Sequence, residues 1–446
     1  MFLNSGLHID QAPPLSVPLR FFVTAPLFLM LAGAAILYWG LDLLDDPLLP
    51  ETVATAHLIA LGWLAMVMFG ALYQMIPVLA GIRVPWINLS AWTHGLLTVG
   101  VLLMVLGLTT EIHSWMLFFA SMALGPAIGL FLLSIGVAIY RAPAQHPTVT
   151  AMGIAILSLI GVLLLGALFL GEYAHGFYDI DRYALLGIHL IWALFGWVGV
   201  LLIGVSFQVL PMFYVMPEFP PTEARRVLGG MALSLILLPA SLFLTETYGL
   251  WVFIPGAAPG IAALILLTRT FQPLFAERKR AFSDPTMQFW MVGLTGAALG
   301  TLLLPFWPLV DDLSLRYLFA ILFLIGGVSS VMIGMLYKIV PFLVWFHRFS
   351  RLAGLVAVPM MDDLLPEKRI AFHPLLHGVA VLMLCLGVVM EWSLMLQLGG
   401  LGVMISAGVV LYGVLFALSH HPPKDVQVPD FAAMFENMPK PPVAKQ

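Results

Sequence analysis

The sequence predicts an all-α, polytopic membrane protein of twelve transmembrane helices, arranged as three pseudo-symmetric parallel four-helix units. Composition, the spacing of apolar runs and an internal repeat carry this reading. Of the 446 residues, 61% are hydrophobic and only 9% charged, and the mean hydropathy is +1.02. Soluble proteins carry roughly 25% charged residues, and water could not cover so much apolar surface without aggregation. A soluble enzyme, a disordered chain and a fibrous repeat are excluded. The net charge of −4 gives no sign of a nucleic-acid partner. One cysteine, Cys385, excludes an internal disulfide, a CxxC redox pair and a thiolate metal cluster.

Crossing a bilayer takes roughly 20 apolar residues. Twelve segments qualify, near 20–42, 52–80, 88–109, 114–140, 148–171, 183–213, 226–246, 250–269, 286–308, 315–346, 371–390 and 394–418. The first has no clear cleavage site and reads as a retained span. It follows a cytoplasmic N-terminal segment, 1–19. The proline-rich tail, 419–446, reads as extended or disordered.

Basic loop residues set orientation. Of the 19 Lys and Arg residues, only Arg182 and Arg316 fall opposite the N-terminus, and Lys338 lies inside a span. The other sixteen are on the N-terminal side, so both termini are expected in the cytoplasm. The opposite loops carry acids such as Asp45, Asp46 and Asp312, which read as a solvated face.

Segments 2, 6 and 10 contain LGWLAMVMFGALYQMIPVL, FGWVGVLLIGVSFQVLPMF and IGGVSSVMIGMLYKIVPFL. Shifts of 134 and then 130 align them without gaps. Gly62, Gly196 and Gly326 coincide, as do Gly70, Gly204 and Gly334, Gln74, Gln208 and Lys338, and Pro77, Pro211 and Pro341. The repeat falls in the second segment of each group of four, giving units 20–140, 148–269 and 286–418. An even offset of four spans keeps the units in one orientation, unlike inverted transporter repeats. Small residues on one face let helices approach closely. Lys338 at this depth must pair or snorkel to the surface.

Among the twelve histidines, His57 and His189 stand in the outer part of repeat helices, in HLIALGW and HLIWALFGW. An uncharged imidazole on an apolar helix suits haem iron or copper as a ligand. It also suits a buried histidine satisfied by a carbonyl or hydroxyl, and both readings stay open. On straight helices His57 would point about 140° from the glycine face and His189 along it. If haem is bound, five-coordinate iron at His57 is the expectation, unless helix distortion brings His189 round. His373 and His377, four apart, share a face and read as a hydrogen-bonded pair or a metal pair.

Twelve spans in three arcs, with histidines on spans 2 and 6, resemble the catalytic subunit of haem-copper oxidases and nitric oxide reductases. PLRFFVTAPLFLMLAG and TAHLIALGWLAMVMFGALYQMIPVLAG are similar to NnrS, a haem-binding membrane protein of nitric oxide metabolism. In motif the likeness covers about thirty residues around each repeat helix. It implies a b-type haem, with copper as an alternative, in a bacterial inner membrane. His57 takes the place of the span-2 haem ligand and His189 that of the span-6 copper ligand. Arg182 and Arg316 would then pair with haem propionates, or form ordinary outer-loop ion pairs such as Arg316 with Asp311 or Asp312. Segment 7 lacks the oxidases' His-His pair and segment 10 their haem ligands, so no conventional binuclear centre is expected. Two other functions stay open. One is a small-solute transporter with Gln74, Gln208, Lys338 and His94 along its path. The other is a cofactor-free subunit that docks a redox partner.

Overall fold

The computed structural model describes residues 11–110, 113–142, 146–175, 182–279, 284–306 and 312–422. Among these the chain is helical throughout, with one isolated bridge, Ala353 to Val356, and no strand. Eleven helices are long and apolar enough to cross a membrane. They are α1 Ser16–Leu44, α2 Pro50–Ala80, α3 Leu89–Thr109, α4 Trp115–Arg141, α5 Pro147–Tyr173, α6 Ala184–Tyr214, α7 Pro221–Thr245, α8 Gly249–Ala276, α9 Pro285–Leu303, α10 Leu313–Arg348 and α12 Ser393–Leu418. The segment expected at 371–390 is α11, His373–Val389, of 17 residues. It rises about 25 Å and qualifies as a span only together with Met361–Arg369, across a 54° bend.

Several helices begin earlier than their apolar runs. Proline at the first helical position needs no N–H partner and presets φ. Pro50, Pro147, Pro221 and Pro285 open four of the spans in this way. α7 therefore starts five residues before the expected 226. Asp284 caps α9 by accepting from the Met287 amide at 2.8 Å.

The repeat helices hold the centre. The most apolar windows of α2 and α10 are 72% buried and that of α6 50%, against 11% for α8. Three contacts tie them to one another. The Trp63 indole N–H donates to Ser329 Oγ at 3.0 Å, Phe69 meets Trp197 at 5.9 Å, and Phe195 meets Phe323 at 5.5 Å.

Each repeat helix contains a π-helical stretch: Leu58–Ala65, Ile191–Gly199 and Ile321–Ser329. Their last residues coincide under the shifts that align the sequences. π turns are rare and recur at functional sites. The straight-helix projection of His57 and His189 therefore fails, because π geometry intervenes between each histidine and its glycine.

First and second helices of each group meet in one register. A Cβ at Gly70 would stand 2.8 Å from Phe21 Cβ, at Gly204 against Ala151 Cβ, and at Gly334 2.9 Å from Phe289 Cβ. One turn or two away, Gly62 abuts Phe28, Gly196 abuts Ser158, and Gly296 abuts the Gly326 backbone. The small residues are thus where backbones approach. α1 and α12 also touch through glycines: a Cβ on Gly33 would lie 2.6 Å from the Gly400 carbonyl oxygen.

Candidate functional site

His57 closes the first two turns of α2, just before the π stretch. Its Nδ1 lies 2.7 Å from the Val53 carbonyl oxygen. A carbonyl only accepts, so Nδ1 carries the proton and donates. Nε2 then keeps its lone pair, and among the described residues no hydrogen bond engages it. A backbone carbonyl that fixes the tautomer and aim of a histidine is the usual support behind a metal-ligating imidazole.

His189 stands two residues before the π stretch of α6. Its Nδ1 is buried without a hydrogen-bond partner, which is rare for a buried polar atom. The ring lies edge-on to Phe169 at 5.7 Å, and Gly166 leaves it room on α5, where a Cβ would come within 3.6 Å of Cε1. His57 and His189 are within electrostatic range of each other. Two histidines from different repeat helices therefore share one region of the bundle.

On α10, Phe319 meets Phe195 of α6 at 6.4 Å. The Tyr317 hydroxyl is buried without a hydrogen-bond partner and lies within electrostatic reach of Asp46, Asp45 and Arg316. Tyr173 of α5 donates to the Leu48 carbonyl at 2.5 Å, closing the α1–α2 loop over the same end. Arg316 stands beside Tyr317 and has an interaction of its own. Asp312 caps α10 instead, accepting from the Ser314 amide at 2.8 Å, and Asp311 lies outside the described residues. Arg182 begins its helix, with its side chain outside the description. Among the described residues no group of three or more His, Cys, Asp or Glu side chains could hold a metal ion.

Several other polar groups find partners within the bundle. Lys338 is paired: its Nζ lies 2.8 Å from Asp284 Oδ2, at the N-cap of α9. Breaking a charge-assisted contact of this kind costs about 2 kcal/mol. Asp284→Asn and Lys338→Met are each expected to lower thermal stability by that amount, and the double variant by less than their sum. Strict additivity would mean that the pair contributes nothing. His94 Nε2 lies 2.9 Å from Thr24 Oγ1 on α1.

His373 and His377 are fully buried in a chain that the sequence only half revealed. Tyr337 Oη lies 2.6 Å from His373 Nδ1, His373 Nε2 2.7 Å from Ser406 Oγ, Ser406 Oγ 2.9 Å from His377 Nδ1, and His377 Nε2 3.1 Å from the Ile325 carbonyl. The last oxygen can only accept, so every donor is assigned: Tyr337 to His373, His373 to Ser406, Ser406 to His377, His377 to Ile325. All four ring nitrogens are used, which leaves none for a metal. The spacing of the two histidines was the available signal; Ser406 gave none. Ser406→Ala orphans two buried ring nitrogens at about 1–3 kcal/mol each. It is expected to lower the unfolding temperature in detergent well below that of Ser419→Ala, an exposed control. Equal stability would show that the chain is not a fixed network.

Compared with known proteins, the chain matches no family model and no curated protein.

Proposed function

We propose that this protein binds a b-type haem in the outer half of the bilayer through His57 and His189, and serves nitric oxide or respiratory metabolism without a binuclear haem-copper centre. The observation that carries the reading is the pair of imidazoles. His57 has its Nδ1–H committed to the Val53 carbonyl and its Nε2 lone pair available, and His189 has a buried ring nitrogen with no partner.

The donor set fits haem better than a bare metal. Protein-only zinc or copper sites draw three or four side-chain ligands, whereas haem needs only axial ones from the chain. When bound, haem would supply an iron able to take up a diatomic gas. The chain's own residues do the rest. Val53 orients His57 and Phe169 lies edge-on to His189, and Arg182 and Arg316 are the proposed partners of the haem propionates. The protein is read as lying in a bacterial inner membrane with both termini in the cytoplasm. The three four-helix units are read as related by rotation about the membrane normal, with the shared glycine register and the coincident π stretches in support. The tail 419–446 would be the docking segment for a redox partner.

The test is an absorption spectrum of the purified protein, oxidised and reduced. A Soret band in stoichiometric amount supports the reading, and a protein purified without haem from haem-replete cells overturns it. One observation favours a second reading as a solute path. Gln74 and Gln208 line a cavity of about 70 Å³ among α2, α6 and α10, and Gln74 Oε1 is buried without a partner. Solute flux into vesicles containing haem-free protein would support that alternative.

A further inference from the structure

We propose that the groove between α1 and α12 binds one anionic phospholipid from the leaflet on the N-terminal side. The groove has a volume of about 420 Å³ and runs along Met404, Gly408 and Tyr412 of α12, with Met30 of α1 and Phe372 on its flanks. From Tyr412 to Met404 it extends about 12 Å into the bilayer. Its walls are almost wholly apolar, and at Gly408 a Cβ would meet nothing within 4 Å, so the slot is open there.

Arg369 stands at its N-terminal-side end. The guanidinium donates to Tyr412 Oη at 2.7 Å and lies 4.2 Å over the Phe416 ring. These contacts fix its position and leave most of its five N–H donors unused. Among the described residues Arg369 has no carboxylate partner, whereas Lys338 and Arg226 each have one. Lys368, also exposed, is its neighbour in sequence.

An oriented, uncompensated guanidinium above an apolar slot inside a bilayer is complementary to one kind of molecule: an amphiphile with an acyl chain and an anionic head. Basic pockets between transmembrane helices recognise lipid head groups in this way. Inorganic phosphate alone would leave the slot unfilled, and a zwitterionic lipid brings no net charge to Arg369.

The experiment is native mass spectrometry of delipidated full-length protein titrated with phosphatidylglycerol or phosphatidylcholine. Wild type is expected to retain one phosphatidylglycerol in preference to phosphatidylcholine. Arg369→Gln should reduce that preference about fivefold, and Arg369→Lys should restore part of it. Gly408→Leu puts a side chain into the slot from a position where a Cβ meets nothing within 4 Å and should lower retention of the first phosphatidylglycerol. An unchanged lipid preference in Arg369→Gln, or unchanged retention in Gly408→Leu, overturns the proposal. So does equal retention of the two lipids by wild type.

Discussion

Replacing His57 by alanine is expected to lower the haem content of the purified protein at least tenfold. Loss of even an outer-sphere partner of a metal ligand costs about 10- to 100-fold in affinity, and His57 is proposed as the ligand itself. His57 offers the better-prepared nitrogen, because the Val53 carbonyl already holds its tautomer and ring plane. His189→Ala is expected to have a different signature. If His57 alone holds the iron, haem stays bound and the carbon monoxide difference spectrum is unchanged. If both imidazoles ligate, the variant retains haem but becomes five-coordinate, and its carbon monoxide binding strengthens. Monodisperse elution of both variants separates ligand loss from misfolding. Full haem content and unaltered spectra in both variants would place the site elsewhere.

Gly33→Ala and Gly400→Ala are expected to be among the most disruptive small changes at the described residues. Each new methyl would lie 2.6–2.8 Å from backbone atoms of the facing helix, and no rotamer change can move a backbone. α1 and α12 must then part, at about 1–3 kcal/mol per variant. The control is the same substitution at Gly125, Gly129 or Gly136, where a Cβ meets nothing within 4 Å. There alanine is expected to be neutral or stabilising by up to about 1 kcal/mol, from helix propensity alone. Thermal unfolding in one detergent compares the two sets. Equal stabilities would mean that the α1–α12 contact is looser than its geometry indicates.

Hydropathy made the spans legible because lipid demands a long apolar run wherever the chain crosses. It misplaced the helix start at Pro221, since proline at the first helical position extends the helix beyond the hydrocarbon. The repeat glycines were legible as close-approach positions. The π stretches were not: in a helix that is apolar on every side, hydrophobic periodicity carries no phase, so an extra residue per turn leaves no trace. That is why the projected directions of His57 and His189 failed while their depth in the sequence was readable. Lys338 announced that it needed a partner. Its choice of Asp284, 54 residues away, depends on how α9 docks beside α10.

The meeting of Gly33 with Gly400 also has a consequence for how the protein is made. The two glycines are 367 residues apart, which at 5–20 residues per second is on the order of tens of seconds of synthesis. Throughout that time α1 is already in the bilayer and its partner face does not yet exist. A helix can wait there, because its backbone hydrogen bonds are internal and lipid tails cover its side chains without penalty. The narrow glycine face gains its close contact only when α12 arrives. The joint between the first and last helices is therefore among the last tertiary contacts to form during biogenesis, and a chain stalled before α12 leaves the bundle open along that side.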